Sequence, residues 1–227
     1  DKQLSKYQEY QGKYPVIYVT FKDVKCETWE ATYEYICGIL RNEFERHNEL
    51  LHSEKISSYE KKYLTEILSG EAGETEISMA FLNLSRMLHA CYGVAPIIII
   101  DEYDTPIQQG YLMGYYDKVV SFMRVLFSGG FKDNPHLSFG FMTGILRVAK
   151  ESIFSGMNNL KVNSITEERF SEYFGFTTTE VKELLDDVNE LKDVVFNEID
   201  EKSMEIFECL FDETTGEDLT NVTSAQL

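Results

Sequence analysis

Apolar positions follow two rhythms along this chain. Three short runs are nearly continuous: YPVIYVTF at 14–21, APIIII at 95–100 and HLSFGFMTG at 136–144. Each is β-branched or aromatic and bounded by Pro, Gly or a charge, which predicts strands. Between them the apolar residues recur every three or four positions. Trp29, Tyr33, Ile36, Cys37, Leu40, Phe44, His47 and Leu51 form one stripe of a long helix. YEKKYLTEILSG (59–70) and EISMAFLNLSRMLHACYG (76–93) predict two more helices, stopped by Gly70 and Gly93. GYYDKVVSFMRVLFSGG (114–130) predicts a fourth.

Strands separated by helices of this length imply βαβ crossovers and a parallel sheet. The run of four isoleucines does not alternate with polar residues. It therefore reads as a central strand buried on both faces by helices. Past the third strand, ILRVAKESIFSG (145–156) predicts a helix and LKVNSI (160–165) a short strand. Beyond 165 the pattern is helical. Thr177 and Glu180 make a capping box before Val181, Leu184 and Leu185, and EKSMEIFECLF (201–211) predicts another helix. No internal repeat or low-complexity tract is present.

Charge adds a boundary. The net charge is −18. Residues 1–165 hold 21 acids and 17 bases, whereas 166–227 hold 18 acids and 4 bases. The expected organisation is an α/β core at 1–165 and an acidic helical, lid-like region at 166–227. Such a surface repels phosphate backbones, so nucleic acid is not the expected partner of this chain alone. No apolar run has the length of a membrane span, and the polar start DKQLSKYQEY is neither a signal nor a transit peptide. Four cysteines without a CxxC pair predict reduced thiols and a cytoplasmic protein.

The candidate chemistry sits where APIIII meets DEYD. Ligands of open parallel sheets bind beyond the carboxyl ends of the strands. Asp101 and Glu102 lie there, dehydrated on the strand side, and charges so placed want a cation or a mobile water. An apolar strand ending in Asp-Glu suits nucleotide hydrolysis: Asp101 holds the Mg2+ shell in the Walker-B manner and Glu102 polarises the attacking water. About forty residues on, the third strand ends in Thr143, placed to sense a γ-phosphate, and Arg147 lies one helical turn further. The bland alternatives are a capping Asp101, a solvated Glu102, an N-cap Thr143 and a surface Arg147. A phosphate cradle of the form G-x-x-x-x-G-K-[ST] is missing. The near match at Gly12-Lys13 continues into Tyr14 and a strand, where the motif needs a helix.

PIIIIDEYDTPI together with SFGFMTGILRVAKESIFSGMNNLKVNSITEERFSEYFGFTTTEV closely resembles the AAA-ATPase-like family of bacterial proteins, often fused to a nuclease-like domain of the PD-(D/E)XK type. The resemblance runs over roughly residues 14 to 185. It implies a three-layer parallel sheet of the P-loop NTPase type, in the AAA-like branch, with a C-terminal helical region. It implies ATP and Mg2+ as ligands in the complete protein, with the Walker A strand and loop lying before YPVIYVTF and Asp1 not the true start. Asp101 would be the metal residue, Glu102 the catalytic acid, Thr143 the sensor, and Arg147 and Lys150 phosphate-facing cations. Asp104 belongs to the family's acidic block without an assigned role. The tyrosine- and tryptophan-containing blocks that usually follow in the family do not appear after FGFTTTEVKELL.

Three functions compete at this point. The first is part of an ATPase, inactive alone because Walker A is missing. The second is a degenerate, non-catalytic ATPase fold that acts as a protein-interaction or regulatory module, with a homo-oligomer or a protein as partner. The third, ranked last, is a metal nuclease using Asp101, Glu102 and Asp104. A sheet without its Walker A strand would also have an exposed edge, which predicts marginal stability or self-association.

Overall fold

The isoleucine run becomes the middle of a three-stranded sheet. The structure, a computed structural model, describes residues 8–145, 160–163, 176 and 178–198. Strands β1 (Val16–Thr20), β2 (Ile97–Asp101) and β3 (Phe139–Met142) pair in the order β1-β2-β3, all parallel. Between β1 and β2 run helices α1 (Trp29–Glu45), α2 (Ser58–Ser69), α3 (Glu74–Ser78) and α4 (Ala80–Tyr92). Between β2 and β3 run α5 (Thr105–Met113) and α6 (Tyr116–Phe131). The chain is an α/β protein with a parallel sheet, as its pattern predicts. It divides into two compact units, Asp1–Leu160 and Lys161–Leu227. In the second unit, helix α7 (Thr178–Glu198) leaves Leu184, Leu185 and Val188 exposed.

Helix ends follow the local chemistry. Ser57 and Glu60 form a capping box at the start of α2. Gly93 ends α4 in the left-handed region, φ 72°, where a Cβ would be strained. The stripe from Trp29 to Leu51 is not one helix. α1 stops at Glu45, and a 3-10 turn, Asn48–His52, carries the last apolar positions. The helix expected over 76–93 is broken at Met79 into α3 and α4. α5 has no counterpart in the predicted elements. It is short and opens on Pro106, which is tolerated in a first turn. The helix expected at 145–156 lies outside the described residues apart from Ile145, and that at 201–211 lies outside them entirely. Residues 160–163 form no strand.

The two faces of the sheet differ. One face carries Ile17, Val19, Ile98 and Ile100, each at most 2% exposed. Against it pack Leu40 and Phe44 of α1, Leu84 and Leu88 of α4, and Met123, Leu126 and Phe127 of α6, all in one core. On the other face the register aligns Val16 with Ile97 and Phe139, and Tyr18 with Ile99 and Phe141. Here Ile97 and Ile99 are half-buried, while Tyr18, Phe139 and Phe141 are exposed. Burial of both faces therefore does not hold among the described residues. The reason is topological. Parallel crossovers are right-handed, and both steps, β1 to β2 and β2 to β3, go the same way across the sheet. Every connecting helix therefore lands on one side.

Candidate functional site

β1 and β2 end in a polar residue and β3 runs directly into one, and the register brings these ends together. Thr20 pairs with Asp101 at the end of β1 and β2. Thr143 follows β3 directly, and its amide donates to the Ile100 carbonyl at 2.8 Å. Thr20, Asp101 and Thr143 thus extend the rows that begin at Val16–Ile97–Phe139, on the open face. The Thr143 hydroxyl donates to Asp101 Oδ1 at 2.6 Å, and the Thr20 hydroxyl donates to Asp101 Oδ2 at 3.1 Å. Each carboxylate oxygen therefore has one donor, and the side chain is held from both neighbouring strands. The backbone is tied as well, since Phe21 N donates to the Asp101 carbonyl at 3.0 Å.

Glu102 breaks the strand. Its φ is 50°, a left-handed conformation that costs a non-glycine residue roughly 1 kcal/mol. Such conformations cluster at functional sites. The turn is pinned on both sides: Tyr103 N donates to Thr143 O at 3.0 Å, and Thr105 N to Glu102 O at 3.2 Å. The Thr105 hydroxyl donates to Glu102 Oε2 at 3.1 Å, which holds the carboxylate at the start of α5. Asp101 and Glu102 are both half-buried, so each remains reachable from solvent.

Asp104 turns the other way. It is 1% exposed, sits at the N-terminal boundary of α5, and accepts from Gln108 Nε2 at 2.7 Å. It also packs against the exit from β3. A Cβ at Gly144 would lie 2.5 Å from Asp104 Oδ1 and 2.7 Å from Tyr103 Cε1. Asp104 is thus a structural neighbour of the site that requires glycine after Thr143. Among the described residues no three His, Cys, Asp or Glu side chains are grouped to hold a metal ion. The three-carboxylate nuclease reading loses its geometric basis.

The structure brings Asp101 and Thr143 into contact and places Glu102 beside them. Arg147 and Lys150 lie outside the described residues. Thr20 escaped the sequence reading, although a signal existed: VIYVT, IIIID and FGFMT each close on a residue with a side-chain oxygen. The rim is tied down by a third group of bonds. The Tyr115 hydroxyl and Gln109 Nε2 donate to Cys26 O at 2.8 and 3.1 Å, and Thr32 Oγ1 donates to the Tyr115 hydroxyl at 2.8 Å. They fasten the loop after β1 to α5 and α6.

A divalent cation fits this donor set in kind. Mg2+ takes oxygen ligands, keeps several waters and is commonly bound through one or two carboxylates together with substrate phosphates. Asp101, fixed by two hydroxyls and half-buried, has the character of such a ligand. No helix among the described residues is long and apolar enough to cross a membrane.

An uncharacterized protein in the vnfD 5′ region of Azotobacter chroococcum mcd 1 is 32% identical over 102 residues. The match takes in 44% of this chain and 20% of that protein, so the chain spans about a fifth of its relative. No solved structure matches. The family model described as a predicted AAA-ATPase matches residues 2–154, and the chain belongs to this AAA-ATPase-like family.

Proposed function

We propose that this chain contributes the Walker-B and sensor strands of a Mg2+-dependent ATP-hydrolysing site. The observation that carries the reading is the row Thr20–Asp101–Thr143 across three parallel strand ends, with Glu102 next to it in a left-handed turn. Family membership supports nucleotide chemistry in general terms. When bound, Mg2+ supplies charge neutralisation for the phosphoryl group being transferred.

Asp101 is the metal ligand and keeps its orientation through two hydroxyl donors. Glu102 is the base that accepts a proton from, and aligns, a water molecule. Thr143 is the sensor, and its chemistry is restricted. A hydroxyl has one proton, and Thr143 gives it to Asp101. In this arrangement its oxygen can only accept, so it would meet a water rather than a phosphate oxygen. To donate to a phosphate it must rotate away from Asp101, and Thr20 then remains as the carboxylate's donor. Arg147 is the proposed cation towards the phosphates. The α/β core then forms part of a three-layer P-loop sheet of AAA-like type, completed by a phosphate-binding strand and loop, and the chain by itself is inactive. A cytoplasmic protein is the setting that reading expects.

The test begins with the gene upstream of the Asp1 codon. A strand followed by G-x-x-x-x-G-K-[ST] within about fifty residues, the scale of one βα unit, is expected. In the encoded protein, Glu102→Gln should lower ATP hydrolysis by about 100-fold or more, the scale of general-base catalysis, with nucleotide binding retained. Hydrolysis at the wild-type rate would remove Glu102 from the chemistry.

A second reading is favoured by the open face. Tyr18, Phe139 and Phe141 are large, apolar and exposed, as suits a non-catalytic ATPase fold that docks another protein or a second copy. Nucleotide-independent capture of a partner, lost on replacing Phe139 and Phe141 by serine, would select it.

A further inference from the structure

The outer edge of β1 bears a set of contacts that the nucleotide reading does not use. Ile97 N donates to Pro15 O, and Phe21 N to Asp101 O. In a parallel ladder the bonding residues alternate. The carbonyl of Val16 and the amide of Tyr18 therefore face away from β2. A further parallel strand would meet this edge with a single residue, its N–H on Val16 O and its C=O on Tyr18 N.

Both positions are filled by side chains. Glu43 Oε1 accepts from Tyr18 N at 2.8 Å. The Arg46 guanidinium and His47 Nε2 donate to Val16 O, the latter at 3.2 Å. The three side chains also hold one another. Arg46 Nε donates to Glu43 Oε2 at 2.9 Å, and His47 Nε2 lies 3.4 Å from Glu43 Oε1. Glu43 is 6% exposed and His47 7%. They come from the last turn of α1 and the residues just beyond it, one helical face apart by three and four positions.

We infer that Glu43, Arg46 and His47 close the β1 edge by imitating one residue of a neighbouring strand. The Glu43 carboxylate takes the place of its carbonyl, and Arg46 with His47 take the place of its amide. An open parallel edge is a template for another chain. Here the template is occupied by polar side chains that belong to the same fold. The opposite edge, on β3, carries exposed Phe139 and Phe141 and no charged residue in the strand. The β1 edge of the sheet is thus closed by its own fold. This inference stands independently of any ATPase activity.

Amide hydrogen exchange on the 227-residue chain tests it, followed by sedimentation. In the wild type the Tyr18 amide should exchange far more slowly than an unbonded amide. In Glu43→Ala it should exchange about tenfold faster or more, while Ile98 and Ile100 keep their protection, and the variant should self-associate at lower concentration than the wild type. Glu43→Gln retains an acceptor oxygen and should restore slow exchange at Tyr18. Faster exchange with unchanged sedimentation would overturn the inference, because the cluster would then fasten α1 without excluding a strand. If Glu43→Ala also loses protection at Ile98 and Ile100, the wild-type rate decides. Slow exchange at Tyr18 upholds the closed edge, and exchange at the rate of an open amide overturns it.

Discussion

The two faces of one sheet tell different stories although their residues are chemically alike. Ile98 and Ile100 are fully buried beneath α1, α4 and α6, whereas Ile97 and Ile99, which alternate with them in sequence, are half-buried. The first face is a finished core, with Phe21 and Phe127 rings 6.3 Å apart and Phe122 edge-on to Tyr33 at 5.3 Å. The second is an apolar surface that leads by its own register to Asp101. The difference teaches that residue type alone does not assign a face. The direction of the crossovers does, because right-handed steps in one direction stack all helices on one side.

The strongest test of this contrast is a pair of truncations. Ile98→Ala should cost about 2–5 kcal/mol, as buried isoleucines do. Ile99→Ala, already partly hydrated, should cost about 1 kcal/mol. Urea denaturation of both variants measures the gap, and equal losses would mean that the second face is covered as fully as the first.

A sharper and smaller test uses neighbours in β3. The Cα of Gly140 points under the Phe131 ring, where an added Cβ would collide with it. Gly140→Ala should therefore destabilise by about 1–3 kcal/mol through overpacking. Phe141→Ala on the open face should change the unfolding midpoint little and raise solubility. A stable Gly140→Ala variant would move β3 away from α6.

The smallest effect is an acid one, confined to the helix-covered side. Burial pushes the Glu43 carboxyl up, but bonds from His47, Arg46 and the Tyr18 amide outweigh it and hold the group below its ordinary 4.5. Glu60 is likewise lowered: burial opposes, while Ser57 and Arg86 prevail. A depressed carboxyl contributes stability that is complete above its unfolded value and is lost as pH falls through the folded one. The contribution of these two carboxyls should thus be flat from neutral pH to about 5 and fall below 4.5. In Glu43→Gln the fall should be shallower. An unchanged acid slope in that variant would show that the cluster contributes nothing to the fold's pH response.

Much of the architecture was legible because it is local. Three β-branched runs and the helical stripes between them are patterns of near neighbours, so these three strands, their parallel pairing and the stops at Gly70 and Gly93 followed from spacing, whereas the short strand expected at 160–165 does not form over 160–163. Asp101, Glu102 and Thr143 were legible as polar residues at the ends of apolar strands. Thr20 was not singled out, since a threonine closing a strand is common and only the register with Asp101 gives it a partner. Asp104 looked like a third site carboxylate, yet its burial against Gly144 and its bond to Gln108 depend on how β3 leaves the sheet. α5 was missed because its nine residues are few and their apolar positions, Ile107, Tyr111, Leu112 and Met113, do not fall into a clear helical stripe.

The chain's sequence by itself determined the elements, their order and the chemistry at the strand ends, because these depend on propensity and period over a few residues. Only the tertiary structure decided which isoleucines are buried, which edge of the sheet is closed and which hydroxyl holds Asp101. Those outcomes rest on contacts between segments 25 to 81 residues apart, and such contacts exist only once the crossovers have set each helix and strand in place.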